Sequence, residues 1–230
     1  MERNGISYRI ASFTGKAVAR IREITEKKEP ATLHMMIAKS KIYKKDNFRH
    51  LILDEASMIT TELLFEFRKR FDHKFKITFV GDINQLEPIG WGSLFYSLIQ
   101  TQIIPTVVLK TVHRTKNSED NGILINSRKI VENNENYFDY TITPNFQIMQ
   151  GDLKTVQSLV EILVNKGFDP NKIGIISPYN RDLGELNQKC SHLFNGVNRS
   201  VVDDRGKKWR IGDRIVATQN NYSFDIMNGD

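Results

Sequence analysis

The sequence predicts an α/β fold in which parallel strands form a sheet flanked by helices. Residues 50–54 contain an apolar run that is too short and too uniformly apolar for an amphipathic helix, which is typical of a buried parallel strand. Residues 76–80 have the pattern of a second buried strand. Between the two, an apolar stripe at helical spacing predicts a core-packed helix over residues 60–72, formed by Leu63, Leu64, Phe67 and Phe71. This strand–helix–strand order is the unit from which parallel sheets are built.

The same patterns predict the remaining elements in chain order. A strand at residues 8–12 precedes a helix that ends before Pro30, followed by a helical turn at 31–37 and a solvated loop or hairpin at 39–45. Pro105 and the changed pattern after it predict a boundary near Ile104, which gives domains 1–104 and 105–230. Further helices are predicted at 93–100, 123–131, 153–166 and through 186–190, and further strands at 106–109, 145–149, 172–176 and 213–218.

Composition and charge limit the classes of function. A net charge of +6 and a sequence pI near 9.3 favour a polyanionic partner, although many basic proteins bind none. No window approaches the roughly 18 consecutive apolar residues of a membrane span. The N-terminus shows no signal-peptide pattern, and the single Cys190 cannot form an internal disulfide. We therefore expect a soluble protein without a membrane partner in the reducing cytoplasm.

An acid pair, Asp54 and Glu55, follows directly after the first buried strand. Ligands of open α/β sheets bind at the carboxyl ends of the strands, where an aspartate can hold Mg²⁺ and a glutamate can activate water for nucleotide hydrolysis. The alternative is an acidic turn that caps the next helix, because Ser57 and Thr60 are good N-cap types. The second strand ends in a Gly-Asp-Ile-Asn-Gln loop, in which Gly81 would allow a tight turn and Gln85 could contact a terminal phosphate or the attacking water.

Polar residues also follow the other predicted strands. The Gly15-Lys16 pair is not a phosphate loop, because Ile10 and Ala17 occupy the positions where that motif needs glycine and a hydroxyl residue. A loop of this kind could still touch a nucleic-acid backbone. His34 is equally consistent with a core histidine and with one that faces a ligand. Arg114 follows a predicted strand and would face a cleft if two domains meet there.

Taken in order, these strand ends resemble the motifs of the RecD-like group of superfamily 1 DNA helicases. The resemblance covers most of the chain. Residues 12–17 resemble motif Ia, residues 54–58 the Walker B motif, residues 81–86 motif III and residues 109–114 motif IV. Two further blocks resemble second-domain motifs. The first comprises residues 177–181 and 186–187, and the second comprises residues 212–216, 220–222 and 228–230.

This resemblance implies a RecA-like P-loop NTPase architecture of two α/β domains with ATP bound between them. It implies that Asp54 holds Mg²⁺, Glu55 activates water, Gln85 senses the γ-phosphate and Arg114 reaches that phosphate from the second domain. For Tyr179, a packed surface residue is an equally consistent interpretation. Contacts to single-stranded DNA are implied for Thr14, Lys16, Thr32, His34, Tyr179 and Arg181.

The implied function is that of an ATP-dependent DNA helicase or translocase, moving 5′ to 3′ in replication, recombination or repair. Single-stranded DNA and the subunits of a helicase–nuclease complex are the implied partners. The Gly-rich Walker A loop of the family should precede motif Ia, and its last motifs should follow residue 230. We therefore expect an internal part of a helicase, incomplete at both ends, with little or no ATPase activity on its own.

Two other functions fit part of the pattern. One is a degenerate module, or complex subunit, that binds nucleic acid without hydrolysis. The other is a nucleotidase or nucleotide kinase with a similar acidic strand end, against which the motif III and Arg114 matches count.

Overall fold

The computed structural model describes residues 5–25, 29–109, 121–132, 139–219, 221, 223, 224 and 226. Two compact units are distinguished, unit 1 with residues 1–111 and 216–230 and unit 2 with residues 112–215. The domain boundary expected near residue 104 stays a prediction. In the described part of the chain, no helix is long and apolar enough to cross a membrane.

Unit 1 contains a parallel sheet of four strands in the order β2-β1-β3-β4. Register pairs Ser12 with Asp54 and Leu53 with Phe79, so β1, β3 and β4 end on the same side, which we call the carboxyl end of the sheet. The α/β fold class with a parallel sheet flanked by helices is confirmed. The elements are β1 Tyr8–Ser12, α1 Gly15–Ile24, β2 Ala31–Thr32, α2 Leu33–Ala38, α3 Ser40–Tyr43, β3 His50–Asp54, α4 Thr61–Arg70, β4 Lys76–Phe79 and α5 Leu94–Gln100, with 3₁₀ turns at Lys44–Asp46 and Ala56–Met58.

An apolar core lies between one face of this sheet and α4. Leu51 and Leu53 alternate with half-exposed residues along β3 and are fully buried. Phe67 and Phe71 of the α4 stripe are also fully buried, and their rings stack at 4.5 Å between centroids. The phenylalanines of this stripe are core residues, as predicted. Each such side chain contributes about 1.5–3 kcal/mol through burial.

Three threonines define where helices begin at the carboxyl end of the sheet. Thr14, Thr32 and Thr60 are the N-caps of α1, α2 and α4. Each hydroxyl accepts a hydrogen bond from a backbone N–H three residues later, at 3.2, 3.1 and 3.1 Å respectively. Because these caps satisfy N–H groups that have no partner inside the helix, they fix the point at which the chain leaves each strand.

Two local expectations in unit 1 need correction. Residues 39–45 form α3 and the start of a 3₁₀ turn rather than a solvated loop or hairpin, and Tyr43 hydrogen bonds to the sulfur of Met35 at 3.6 Å. This contact with α2 gives the basic segment a packed side, so it folds as a short helix. The two-residue strand β2 was also missed, because so short a strand has no periodicity.

The loop after β4 is bound to the start of α4. The N–H of Thr61 donates to the carbonyl oxygens of Trp91 and Gly92 at 3.1 and 3.2 Å. Gly92 has φ +80°, and a Cβ there would lie 2.3 Å from the Thr61 hydroxyl, so the position requires glycine. The Trp91 side chain is nevertheless 81% exposed. The backbone of this loop is thus fixed while its largest side chain faces solvent.

Unit 2 contains three helices and an antiparallel hairpin among its described residues. Its elements are α6 Gly122–Glu132, α7 Leu153–Asn165, α8 Asn180–Asn195, β5 Ser200–Val202 and β6 Lys208–Arg210, with a 3₁₀ turn at Pro170–Lys172. The three predicted helices are confirmed. The strands predicted at 106–109 in unit 1 and at 145–149, 172–176 and 213–218 are wrong, because the described residues of these segments form no strand ladder. Apolar β-branched residues favour a strand only where a neighbouring strand supplies hydrogen bonds and side-chain contacts.

Polar side chains hold unit 2 together at three places. Asn126 is 1% exposed, and its amide pairs with both backbone groups of Thr141 at 2.8 and 2.9 Å. Asp213 accepts hydrogen bonds from Ser191, Asn195 and the N–H of Arg210, all at 2.8–2.9 Å, and so joins α8 to β6.

The third place is the turn of the β5–β6 hairpin. Asp203 accepts from the Trp209 indole N–H at 2.9 Å and from the N–H groups of Arg205 and Lys207. These hydrogen bonds lower the pKa of Asp203, and the bond from Trp209 has the largest effect. The Lys207 ammonium lies 3.9 Å from the centre of the Trp209 ring.

Candidate nucleotide and nucleic-acid site

The acid pair lies at the carboxyl end of the sheet. Asp54 is the last residue of β3, is half-buried, and is paired in register with Ser12 of β1. Glu55 adopts the left-handed conformation, with φ 52° and ψ 41°, and the 3₁₀ turn Ala56–Met58 begins directly after it. That conformation costs a non-glycine residue about 1–2 kcal/mol. Backbone strain of this kind is concentrated at functional positions.

The loop after β4 is bound to the turn that carries the acid pair. The N–H of Ala56 donates to the carbonyl of Val80 at 2.9 Å, and the N–H of Val80 donates to Leu53 at 2.8 Å. A Cβ at Gly81 would lie 3.0 Å from the backbone nitrogen of Ser57. Gly81 does not have positive φ, so the expected tight turn is not its reason. Glycine is needed because the two backbones approach closely.

The motif III loop lies beside the acid pair through these backbone contacts. Asp82 accepts from the N–H of Asn84 at 2.9 Å, which shapes the turn that leads to Gln85. Gln85 is exposed, and its side chain forms no hydrogen bond with the described residues. Its amide is therefore available to a ligand.

Neither acid serves the structural role that the alternative interpretation gave it. Thr60 caps α4, whereas Asp54 and Glu55 form no ion pair or side-chain hydrogen bond within the described part of the chain. The hydroxyls of Ser12 and Ser57 are buried beside them and have no hydrogen-bond partner there. A buried hydroxyl left unpaired costs about 1–3 kcal/mol. This end of the sheet thus holds four side chains whose oxygens have no hydrogen-bond or ion-pair partner among the described residues.

These groups fit a hydrated Mg²⁺ that is bound together with a nucleotide better than a metal ion held by protein ligands alone. Within the described ranges there is no cluster of three or more histidine, cysteine or acidic residues that could hold a metal ion. Mg²⁺ is typically bound through one or two carboxylates, with waters and substrate phosphates as its other ligands. Asp54 alone satisfies that requirement, and buried hydroxyls can bind the surrounding waters.

The four residues assigned to DNA contacts in unit 1 lie together after β1 and β2. Lys16 and His34 are exposed, in the first turns of α1 and α2. Thr14 and Thr32 already cap these helices, and Thr32 is only 5% exposed. Lys16 and His34 are thus the members of this group whose side chains are open to a ligand.

The other predicted site residues lie elsewhere. Tyr179 is the N-cap residue of α8 in unit 2 and is 66% exposed. The Arg181 side chain is also exposed, and its Nε lies 3.5 Å from Asp182. Arg114 falls outside the described residues.

Sequence reasoning missed three residues of this region. Phe13 contacts His34 with ring centroids 5.7 Å apart, and it joins the loops after β1 and β2. Ser12 and Ser57 supply the unpaired hydroxyls. No sequence pattern marks either serine, because Arg9 interrupts the apolar pattern of β1 and Ser57 lies in a 3₁₀ turn.

A parallel sheet that presents unpaired carboxylates and helix N-termini at its carboxyl end is typical of the α/β proteins that bind nucleotides. Comparison with known families narrows that class. The chain belongs to the AAA domain family, whose model matches residues 1–134.

Individual relatives are DNA helicases and a transfer protein. The ATP-dependent RecD2 DNA helicase of Deinococcus radiodurans is 25% identical over 243 residues, which cover 98% of this chain and 32% of that protein. The RecBCD enzyme subunit RecD of Buchnera aphidicola is 24% identical over 319 residues, covering 98% and 51%. A probable conjugal transfer protein TraA of Sinorhizobium fredii is 27% identical over 190 residues, covering 77% and 16%. The resemblance to RecD-like helicases is confirmed, and the chain spans between a sixth and a half of these relatives.

Two solved structures of Pif1 helicases also align with the chain. Bacteroides Pif1 bound to ssDNA gives a TM-score of 0.49 at 16% identity, covering 99% of this chain and 59% of that one. A structure of two coordinating Pif1 helicases at forked dsDNA gives 0.46 at 15% identity, covering 99% and 60%.

Proposed function

We propose that this chain is part of an ATP-dependent DNA helicase or translocase, with its hydrolytic residues at the carboxyl end of the unit 1 sheet. The observation that carries the proposal is the unpaired acid pair on a strained turn that is hydrogen-bonded to the motif III loop. ATP and Mg²⁺ are the proposed cofactors. The AAA domain family implies the use of ATP, and the chemistry of the side chains favours Mg²⁺.

Each residue would contribute by position and charge. A bound Mg²⁺ would neutralise charge on the phosphates. Asp54 would hold the metal, and Ser12 and Ser57 would hydrogen bond to waters around it. Glu55 would accept the proton of the attacking water, while Gln85 would bind the terminal phosphate or that water. Arg114 would stabilise the same phosphate as an arginine finger.

DNA would bind along the exposed residues that follow the strands. Lys16 would contact a phosphate, and the Phe13–His34 pair offers rings beside it. Tyr179 and Arg181 are proposed as contacts from unit 2, and Thr14 and Thr32 as residues that position the loops. Single-stranded DNA and 5′-to-3′ movement are proposed from the resemblance to RecD-like helicases. Membership of a complex is proposed because one relative is a subunit of the RecBCD enzyme.

The substitution Glu55→Gln tests the hydrolytic part. In the protein that contains this chain, we expect DNA-stimulated phosphate release to fall by about 10²-fold or more while nucleotide still binds, because the amide cannot accept the proton. Glu66→Gln is the matched control, since it makes the same chemical change at an exposed residue beyond the first turn of α4. Equal activity of Glu55→Gln and the wild type would contradict the proposal and favour a module that binds without hydrolysis.

A further inference from the structure

A second group of charged residues lies at the opposite, amino end of the unit 1 sheet. Arg49 immediately precedes β3, and Lys76 begins β4. The N–H of Lys76 donates to the carbonyl of Arg49 at 3.0 Å, and Lys76 is paired in register with His50. Helix α4 ends at Arg70, and Lys74 lies in the link that follows it. The strand starts and this helix end thus bring four cations to one side of the unit.

Two contacts bring a further cation to the same place. The Lys44 ammonium lies 3.6 Å from Asp72, which joins the 3₁₀ turn before β3 to the link after α4. His73 donates through Nε2 to the carbonyl of Phe48 at 2.9 Å and fixes the same link. Lys45 lies in that turn and is therefore part of the surface. The amino-end basic surface consists of Lys45, Arg49, Arg70, Lys74 and Lys76.

The charges of this surface are not neutralised by nearby acids. All five side chains are exposed, and none forms an ion pair within the described part of the chain. The acidic residues of the same turns form ion pairs with other cations, Asp46 with Arg9 and Asp72 with Lys44. Residues 1–111 contain 18 of the 33 lysines and arginines but 12 of the 27 acids, so they carry the whole net charge of +6.

The surface suits phosphates rather than exposed bases. The aromatic rings beneath it belong to the core, with Phe48 and Phe71 fully buried, and offer no face for stacking. A nucleic acid whose bases are already stacked and paired presents its phosphates and no free base faces, and clustered lysines and arginines bind the phosphates with release of counterions.

We propose that the amino-end basic surface is a second nucleic-acid site, which binds the phosphodiester backbone of duplex DNA. The strands that separate it from the acid pair are four or five residues long, so it lies about 15 Å from the carboxyl end. Single-stranded DNA at Lys16 and His34 and a duplex at this surface would therefore occupy different sides of unit 1. The proposal rests on the DNA-binding part of the proposed function and is independent of hydrolysis.

Salt dependence of DNA binding tests this site. The combined variant Lys45→Gln, Lys74→Gln and Lys76→Gln removes three exposed charges that form no hydrogen bond among the described residues. We expect the slope of log Kd against log salt for a blunt duplex to fall by about 2–3, because each neutralised phosphate contributes about 0.9. The slope for a single-stranded oligonucleotide should change by less than one.

Matched variants separate this site from general charge effects. The control triple Lys154→Gln, Lys166→Gln and Lys172→Gln removes three exposed lysines of unit 2 and should leave the duplex slope nearly unchanged. The charge-conserving triple Lys45→Arg, Lys74→Arg and Lys76→Arg should keep the wild-type duplex slope. Equal losses in both triples, or a loss confined to single-stranded DNA, would overturn the proposal. Glu55→Gln should abolish hydrolysis without changing this slope, so failure of the hydrolytic proposal is measured separately.

Discussion

Unit 1 and unit 2 are stabilised by different kinds of side chain. The core of unit 1 is apolar, with Phe48, Phe67 and Leu53 all fully buried. Among the described residues of unit 2, the buried apolar side chains are those of Val160 and Leu186, and polar residues make the links between its elements. Apolar burial does not depend on protonation, whereas hydrogen bonds to a carboxylate do. Substitutions and pH should therefore affect the two units differently.

The largest expected effect is that of Phe67→Ala in the unit 1 core. Removing this fully buried ring should destabilise unit 1 by about 3–5 kcal/mol through lost burial and a cavity. Phe65→Ala is the control, because Phe65 lies on the same helix but is 60% exposed. Hydrogen exchange in urea should show lost protection in α4 but not in α7. Equal loss in both helices would contradict separate stabilisation of the two units.

A smaller loss is expected for Asn126→Ala in unit 2. The substitution leaves the N–H and carbonyl of Thr141 without their partner, which should cost about 1–3 kcal/mol. Asn187→Ala, at an exposed position of α8, should have little effect. The measurement is urea unfolding followed by hydrogen exchange in α6. A stability of Asn126→Ala equal to that of the wild type would show that these hydrogen bonds do not hold unit 2 together.

Acid should weaken unit 2 through Asp213. Burial raises the pKa of this carboxyl, but hydrogen bonds from the N–H of Arg210, from Asn195 and from Ser191 outweigh burial and lower it. A carboxyl whose pKa is lowered by folding stabilises the folded state fully at pH values above its pKa in the unfolded chain, which is near 3.9. This stability is lost as the pH falls through its pKa in the folded state.

The substitution Asp213→Asn checks this pH dependence. At neutral pH it should destabilise unit 2 by about 1–2 kcal/mol, and the difference from the wild type should shrink below pH about 4. Asp204→Asn, at an exposed position of the hairpin turn, serves as the control. A difference that stays constant down to pH about 2 would refute the assignment to Asp213.

The smallest expected effect is a gain in stability. Glycine adopts positive φ without strain, so Glu55→Gly should stabilise unit 1 by about 0.5–1 kcal/mol, whereas Glu55→Ala should not. Thermal unfolding of the two variants provides the comparison. Equal stability of the glycine and alanine variants would mean that the turn relaxes, and that strain at Glu55 is not stored in the native state.

The sequence predicts the unit 1 sheet better than unit 2 because apolar residues recur along the strands of that sheet. β3 contains an apolar run, and in β4 Ile77 and Phe79 alternate with polar residues. Both strands pair with neighbours in the same unit, so local pattern and tertiary structure agree. Residues 172–176 carry a similar apolar pattern but find no strand partner among the described residues. The β5–β6 hairpin was missed for the opposite reason, since its strand Lys208–Arg210 is short and basic although it forms a ladder.

In the candidate site, the sequence identifies residues marked by a local pattern but not residues whose role depends on tertiary structure. Asp54 and Glu55 could be identified because they directly follow an apolar strand. The hydroxyls of Ser12 and Ser57 could not, because their burial depends on strand register and on the close approach of Gly81. The residues Thr14 and Thr32 show a further limit, since a threonine after a strand is equally suited to capping a helix and to binding a phosphate.

The chain's two tryptophans lie one in each unit, in contrasting surroundings. Trp91 is 81% exposed on a fixed loop, whereas the Trp209 indole is hydrogen-bonded to Asp203 beneath a lysine. Acrylamide, a neutral quencher, should therefore quench the fluorescence of Trp91 far more than that of Trp209, and the emission of Trp91 should lie at longer wavelength. Replacing either one with phenylalanine leaves a single tryptophan, which is excited selectively at wavelengths that tyrosine does not absorb. The protein thus provides its own spectroscopic reporter for each unit, without any attached dye.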